Sequence, residues 1–574
     1  MLFKTIFDNA FNTLKKIRLK IYICHVLFIY IEGRNNILNK NLLKVGIIFL
    51  FTISVLTPIV TGYNIENNQE ESRYEVLHIS DWVEKAKIIA SDGSNGDWFG
   101  VSVDIYGNHC VIGARDDDNE RGSAYVFKRV GDLWEQEQKL LAYDGVAGDW
   151  FGISVSIFED FIFVGADAED NENGLNAGSV YVFKQNGSSW IQHNKLVASD
   201  GTENDYFGRY VAIDEEYSII GAYYDDEIAG SAYVFKRLGD EWIEEAKLTA
   251  SDRLPGDYFG ISTSIEDDYA IIGAYRDDNS NGVDAGSVYV FKRNGGSWEE
   301  ETKLLASDGE AGDRFGISTD IDSNYLVIGS YFEDGNKGSI YIFNKTSTGW
   351  IEEEKLAEPG GVANNYFGRS VSIKKNIILV GAWGDGGASG SAYIFNKTST
   401  GWIEEAKLTA SDASGNDRFG YQVSIHERFA VIGAYSDDNE NGVDAGAAYI
   451  FESINYAPST PNITGTVNGN PGVEYTYTFN SVDPEGDNVY YYIIWDDGYV
   501  ETWDGPHSSG QEVDISHTFA NQGTYTIKAK ARDIYGSESD WGELEVNIPR
   551  NKASSCLWFE LLFERYRMLI NFIL

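Results

Sequence analysis

The sequence predicts an all-β protein, a seven-bladed β-propeller followed by a smaller β-sandwich. Three observations predict it. One module recurs seven times: a Trp (Trp82, Trp134, Trp190, Trp242, Trp298, Trp350, Trp402), then Phe-Gly 17 residues later, then Gly-Ala or Gly-Ser 14 residues beyond that Phe. Each repeat of 52 or 56 residues holds four short apolar runs, the sequence form of a four-stranded blade. A distinct stretch of about 90 residues with strand-like alternation follows the last repeat.

Within a module the runs can be ordered from axis to rim. The Phe-Gly run, as in Phe151-Gly-Ile-Ser-Val-Ser-Ile157, is rich in small residues and suits strands crowded around an axis. Tyr269-Ala-Ile-Ile-Gly-Ala274 is nearly continuous apolar, fit for burial on both faces, and 286–291 resumes alternation. Trp242-Ile-Glu-Glu-Ala-Lys-Leu248 alternates apolar with charged residues, as an exposed edge strand does. The seventh copy ends at Phe451 without a Trp run, whereas 82–88 precedes the first Phe-Gly without a blade of its own. The N-terminal run is therefore expected to complete the last blade. The loop entering each inner strand and the loop leaving each Gly-Ala strand share one face and are acidic, as with Asp92, Asp97, Asp116, Asp117 and Asp118. Lys128, Arg129, Lys236, Arg237, Lys292 and Arg293 fall on the other face. A carboxylate-rich face suits cations.

The expected organisation is a leader at 1–62 with a signal peptide or signal anchor, the propeller at 78–453, a linker at 454–461, the sandwich at 462–549 and an apolar tail at 550–574. The run 45–60 follows Lys40 and Lys44 and reads as a secretory signal. The tail is interrupted by Glu560, Glu564, Arg565 and Arg567, which fits a sorting tag or interfacial helix better than a span. Leader or tail could thus tie the protein to a membrane or envelope. With 89 Asp and Glu against 45 Lys and Arg, the net charge of -44 excludes nucleic acid as a partner. Cys24, Cys110 and Cys556 give no disulfide framework.

In register over 80–452, the Phe-Gly and Gly-Ala signatures resemble the FG-GAP repeats of the integrin alpha propeller. The resemblance implies that the acidic face binds protein ligands. Repeats of that family often carry calcium between the first two strands. Here the connection is a tight turn, as in Ile265-Glu-Asp-Asp-Tyr269, so those sites do not carry over. Three modules instead have four extra residues after Gly-Ala. Two of these loops place Asp277, Asn279, Asn281 and Asp284, and Asp437, Asn439, Asn441 and Asp444, around a Gly turn. The third places Glu169, Asn171, Asn173 and Asn176. Oxygens at alternate positions can converge on a hard cation, so these residues are candidate Ca²⁺ ligands of weak affinity, about 10⁻⁴ to 10⁻³ M; an Asx-rich turn is the other reading. The run Trp495-Asp-Asp-Gly498, with His517-Thr-Phe519, Gly523-Thr-Tyr525 and Lys528-Ala-Lys-Ala-Arg-Asp533, resembles a PKD domain, an immunoglobulin-like sandwich common in cell-surface proteins.

The seven Trp read as rim packing, and the Asp two residues before each inner Phe as a loop brace, with Asn365 in its place in the sixth module. That module departs most and offers Trp383 as an aromatic anchor. Seven scattered His and no Gly-x-Ser-x-Gly motif argue against an enzyme, so no catalytic residues are expected. The expected function is extracellular or cell-surface binding and adhesion to a protein or glycan, with calcium as the candidate cofactor. The alternatives are an extracellular hydrolase or lyase on a propeller scaffold, or a structural envelope component.

Overall fold

The computed structural model describes residues 82–398 and 400–549. The leader, the tail, Cys24 and Cys556 lie outside the described residues. Seven four-stranded antiparallel sheets follow one another. We number them as blades 1 to 7, beginning at Phe99, Phe151, Phe207, Phe259, Phe315, Phe367 and Phe419. Blade 4 is typical: Phe259–Glu266 innermost, then Tyr269–Ala274, Ser287–Asn294 and Ser297–Leu304 at the rim. This is the order expected from the patterning.

The cores lie between blades, because the second and third strands are apolar on both faces. One cluster joins Tyr269, Ile271, Val288, Val290 and Leu304 of blade 4 to Phe315, Ile321, Leu326, Ile328 and Tyr341 of blade 5. Each fully buried side chain of this kind contributes about 1.5–3 kcal/mol. The Phe of Phe-Gly packs edge-on to a Tyr and a Phe of its own third strand, as Phe259 does to Tyr289 and Phe291 at 5.4 and 6.2 Å. The glycines permit close approach between blades. A Cβ on Gly273 would lie 2.0 Å from the Gly316 carbonyl oxygen, and Gly260 has a φ of +92°.

The rim Trp residues pack onto the second strand of the preceding blade. Trp242, 4% exposed, meets Phe161 and Phe163 edge-on at 5.7 and 5.0 Å. On the same outer region Arg237 lies over Phe161 at 4.5 Å and Arg293 bonds Glu245 at 3.1 Å.

The ring closes as expected. Trp82–Ile88 pairs antiparallel with Ala447–Ser453, from Trp82 against Ser453 to Ile88 against Ala448. It thereby supplies the outer strand of blade 7. Phe429, Val431, Ala448 and Ile450 of blade 7 share a core with Phe99, Val103 and Tyr125 of blade 1.

The second domain is a sandwich of a three-stranded and a four-stranded sheet around Trp495, Tyr477, Tyr491, Phe479 and Phe519. Asn462–Gly465, Val500–His507 and most of Val513–Thr518 are strands beyond those legible in the sequence. Among the described residues no helix is long and apolar enough to cross a membrane.

Candidate functional site

The acidic face keeps much of its charge for internal use. In each of six modules the Asp two residues before the inner Phe accepts a backbone N–H three residues upstream, as Asp97 does from Ser94 at 2.5 Å and Asp257 from Leu254 at 2.6 Å. This is the expected loop brace. In the sixth module Asn365 takes the place, and its Nδ2 donates to Glu358 at 2.6 Å.

A second recurring knot escaped the sequence reading. In six of the seven blades the Lys five residues after the rim Trp reaches between two carboxylates, at least one of which also receives a buried Tyr hydroxyl. In blade 6, Lys407 pairs with Asp385 alone among the described residues, and Tyr393 OH donates to Glu358. In blade 4, Lys303 Nζ lies 2.8 Å from both Asp252 and Asp277, and Tyr289 OH donates to the same two residues at 2.7 and 3.2 Å. Lys139 with Asp92 and Asp117, Lys195 with Asp144 and Glu169, and Lys87 with Asp412 and Asp437 repeat it. The signal was available: a Lys at Trp+5 in all seven modules, followed five residues on by Asp in six.

This knot decides the fate of the candidate cation ligands, which the structure does not bring to one centre. Glu169, Asp277 and Asp437 are buried and paired with Lys195, Lys303 and Lys87. Asn171, Asn279 and Asn439 turn their amide nitrogens to the carbonyls of Gly178, Gly286 and Gly446 at 2.7–2.8 Å. Their Oδ1 atoms cap the N–H groups of Asn173, Asn281 and Asn441, an Asx turn. Those three residues donate in turn to Ala198, Ala306 and Ala90 of the next loop. Asn176, Asp284 and Asp444 sit at φ 49–52° and receive side-chain caps from Asp170, Asp278 and Asp438. Lysine ammonium groups already neutralise the buried carboxylates, and the Asn side chains are engaged by backbone groups. In this arrangement the residues do not fit Ca²⁺. Among the described residues no group of three or more His, Cys, Asp or Glu side chains could hold a metal ion.

What the face presents around its axis is aromatic and arginine-rich. The residue before each Phe-Gly is Trp98, Trp150, Tyr206, Tyr258, Arg314, Tyr366 or Arg418, and all seven have φ between 55 and 61°. Bulky side chains rarely adopt this left-handed conformation, and such strain concentrates at functional sites. It is held by one recurring bond, from that residue's N–H to a carbonyl of the preceding blade, here Asp444, Glu120, Asn176, Ile228, Asp284, Asn336 and Ala388, at 2.9–3.4 Å. A second ring follows Gly-Ala: Arg115, Asp167, Tyr223, Tyr275, Tyr331, Trp383 and Tyr435. The rings interlock. Arg115 lies over Trp98 and Trp150 at 4.4 and 4.8 Å, and Arg314 over Tyr275 at 5.5 Å. Tyr366 stacks flat on Trp383, with centroids 4.5 Å apart and planes 2° from parallel. Trp383, expected as an anchor, is half-buried in this double crown. The rest of the crown was missed, although the residue before Phe-Gly is large in every module.

The braces make stability depend on pH. Burial, reinforced by carboxylates such as Asp117 and Asp277, pushes Asp97 and Asp257 up from 3.8 to about 6. Burial moves Asp149, Asp205, Asp313 and Asp417 the same way. A carboxyl with a raised folded value binds its proton more tightly folded than unfolded, so stability grows as pH falls through about 6. The melting temperature is therefore expected to be higher at pH 5 than at pH 8, and Asp257→Asn, which imitates Asn365, to reduce the difference. A melting temperature that falls steadily from pH 8 to pH 5 would refute this.

The FG-GAP repeat pattern matches at 82–127, 134–183, 190–235, 242–291, 298–343, 350–395 and 402–451, more than half of the chain. The PKD domain pattern matches at 465–546. Among solved structures, the PKD domain of an M14-like peptidase from a Thermoplasmatales archaeon is similar, at 54% identity, covering 17% of this chain and 100% of that one, with a TM-score of 0.17. No curated protein matches the chain.

Proposed function

Because this chain belongs to the FG-GAP repeat family and carries a PKD domain after its repeats, we propose that it is a secreted or cell-surface binding protein whose propeller engages an extracellular protein or glycan through the double crown. Both domains are typical of extracellular adhesion and binding proteins. The observation that carries the reading is the crown itself: seven aromatic or arginine side chains held at strained left-handed backbone by bonds between blades. Rigid, half-buried aromatic and arginine groups are the residue types that dominate binding energy at interfaces. The PKD domain would space the propeller from the surface that bears it. The reading does not route through calcium, since lysines hold the carboxylates a cation would need.

The test is adhesion of the full-length protein to panels of immobilised matrix proteins and glycans, beside a Tyr366→Ala/Trp383→Ala variant and a rim control, Leu133→Ser. We expect the crown variant to lose binding about ten-fold or more with its far-UV spectrum unchanged. Binding that survives in the crown variant and falls in the rim control would sink the reading.

A further inference from the structure

On the ring axis, inner strands of blades 1, 2, 3, 6 and 7 enclose a cavity of about 60 Å³, lined among others by Val101, Ser154, Arg209, Tyr210, Arg369 and Tyr421. It adjoins the crown, since the Tyr421 ring lies 4.5 Å from that of Tyr435. The blades differ at this point. After Phe-Gly, blades 1, 2, 4 and 5 carry Val101, Ile153, Ile261 and Ile317, whereas blades 3, 6 and 7 carry Arg209, Arg369 and Tyr421. One residue further, Ser102, Ser154, Ser262 and Ser318 each donate to a carbonyl of the next blade at 2.8–2.9 Å. Tyr210 and Gln422 interrupt that series. Departures from the repeat thus gather around the cavity.

Charge is not balanced there. Arg115 pairs with Asp116 at 3.1 Å, and Arg209 faces Asp167 at 3.6 Å. Asp167 is fully buried, and neither of its oxygens has a hydrogen-bond partner among the described residues. Arg369 has no carboxylate within 4.0 Å among the described residues. Its Nη2 donates to Tyr421 OH at 3.1 Å, and its guanidinium lies over the same ring at 4.6 Å. Burial alone would push the Tyr421 hydroxyl up, yet Arg369, Arg209 and Arg115 bring it below its ordinary value. Arg369 is half-buried, and a guanidinium partly withdrawn from water without a counter-anion is costly. The volume has room for roughly four waters, which suits one carboxylate group and no bulky polyanion.

We propose that the axial cavity binds a carboxylate on Arg369 and Tyr421, with Arg209 as flanking charge, the carboxylate arriving through the crown on a free small acid or on an Asp or Glu side chain of the partner. The guanidinium fork matches a carboxylate's two oxygens. The partner-borne form rests on the crown being the binding face; the free-acid form does not.

The test is thermal melting and calorimetric titration of the full-length protein with sodium malonate, with a short Asp-containing peptide, and with sodium chloride at matched ionic strength. Arg369→Ile installs the residue that blades 4 and 5 carry, and Arg369→Lys keeps the charge without the fork. We expect malonate or the peptide to raise the melting temperature above the chloride control, the response to vanish in Arg369→Ile and to weaken in Arg369→Lys. Without added anion, Arg369→Ile should melt at or above the parent. A response to malonate alone assigns the site to free acids; a stronger response to the peptide assigns it to a partner's side chain. Equal responses to malonate, peptide and chloride, or a response that persists in Arg369→Ile, would overturn the proposal. Loss of adhesion in the crown variant without any carboxylate response defeats this inference alone, whereas a carboxylate response with adhesion mapped elsewhere defeats the crown reading alone.

Discussion

Deleting residues 82–88 is expected to leave a chain that no longer forms a stable closed ring at 37 °C. The strand they form supplies Ile88 to the core between blades 7 and 1 and caps the edge of Ala447–Ser453. Trp82 donates to Glu405 at 3.0 Å, and Glu84 accepts the Ser411 N–H and hydroxyl at 2.8 and 2.7 Å. Lys87 is the partner of Asp412 and of Asp437, whose side chain is 2% exposed. Its removal strips a buried carboxylate of its counter-charge, deletes core side chains and bares a strand edge. Together these effects cost roughly 5 kcal/mol or more, comparable to the whole stability of many domains. The unpaired edge should also recruit other chains, so soluble aggregates are expected by gel filtration. A truncated chain that stays monomeric and melts within a few degrees of the parent would contradict the clasp.

Lys303→Met is expected to lower the melting temperature by roughly 3–8 °C, from about 2–3 kcal/mol. Asp252 is half-exposed and loses little of its solvation, so most of the effect comes from Asp277, 2% exposed and left without its cation. The pair also sets a pH window. Burial acts to raise Asp252, but bonds from Lys303 and Tyr289 outweigh it and hold its carboxyl below 3.8. Burial acts to lower Lys303, but Asp252 and Asp277 outweigh it and hold it above 10.5. The stability this pair provides is therefore present between pH 3.8 and 10.5. It is lost as pH falls through the depressed Asp252 value or rises through the raised Lys303 value. Lys303→Arg, which keeps the charge, should recover most of the loss. A Lys303→Met protein as stable as the parent at pH 7 would show that the ammonium does not hold the knot.

The propeller was legible because its information is periodic. Strand order follows from small residues at the axis, apolar runs in the middle and alternation at the rim, and closure follows from a surplus strand at one end and a missing one at the other. The sandwich was harder to read. Val500–His507 is largely exposed and carries Gly505 and Pro506, so neither hydrophobic alternation nor strand propensity marks it. The site was half legible. Residue types in the long loops suggested converging oxygens, but an Asn offers nitrogen as readily as oxygen, and its choice depends on which backbone groups need a partner. Nor does local sequence reveal that a lysine 26 residues away, Lys303, will reach Asp277. The crown was hidden because its cause is a backbone angle set by the neighbouring blade, not by the residues that bear it.

The pairing of Trp82 with Ser453 sets how the ring carries load. The chain enters and leaves the propeller at the same end of one antiparallel strand pair, on the face opposite the crown. A pull between the two ends would open that pair like a zipper, one rung at a time from Trp82 towards Ile88, rather than shearing all rungs together. Mechanical failure would therefore start at the clasp and at low force, while the other six blades remain folded.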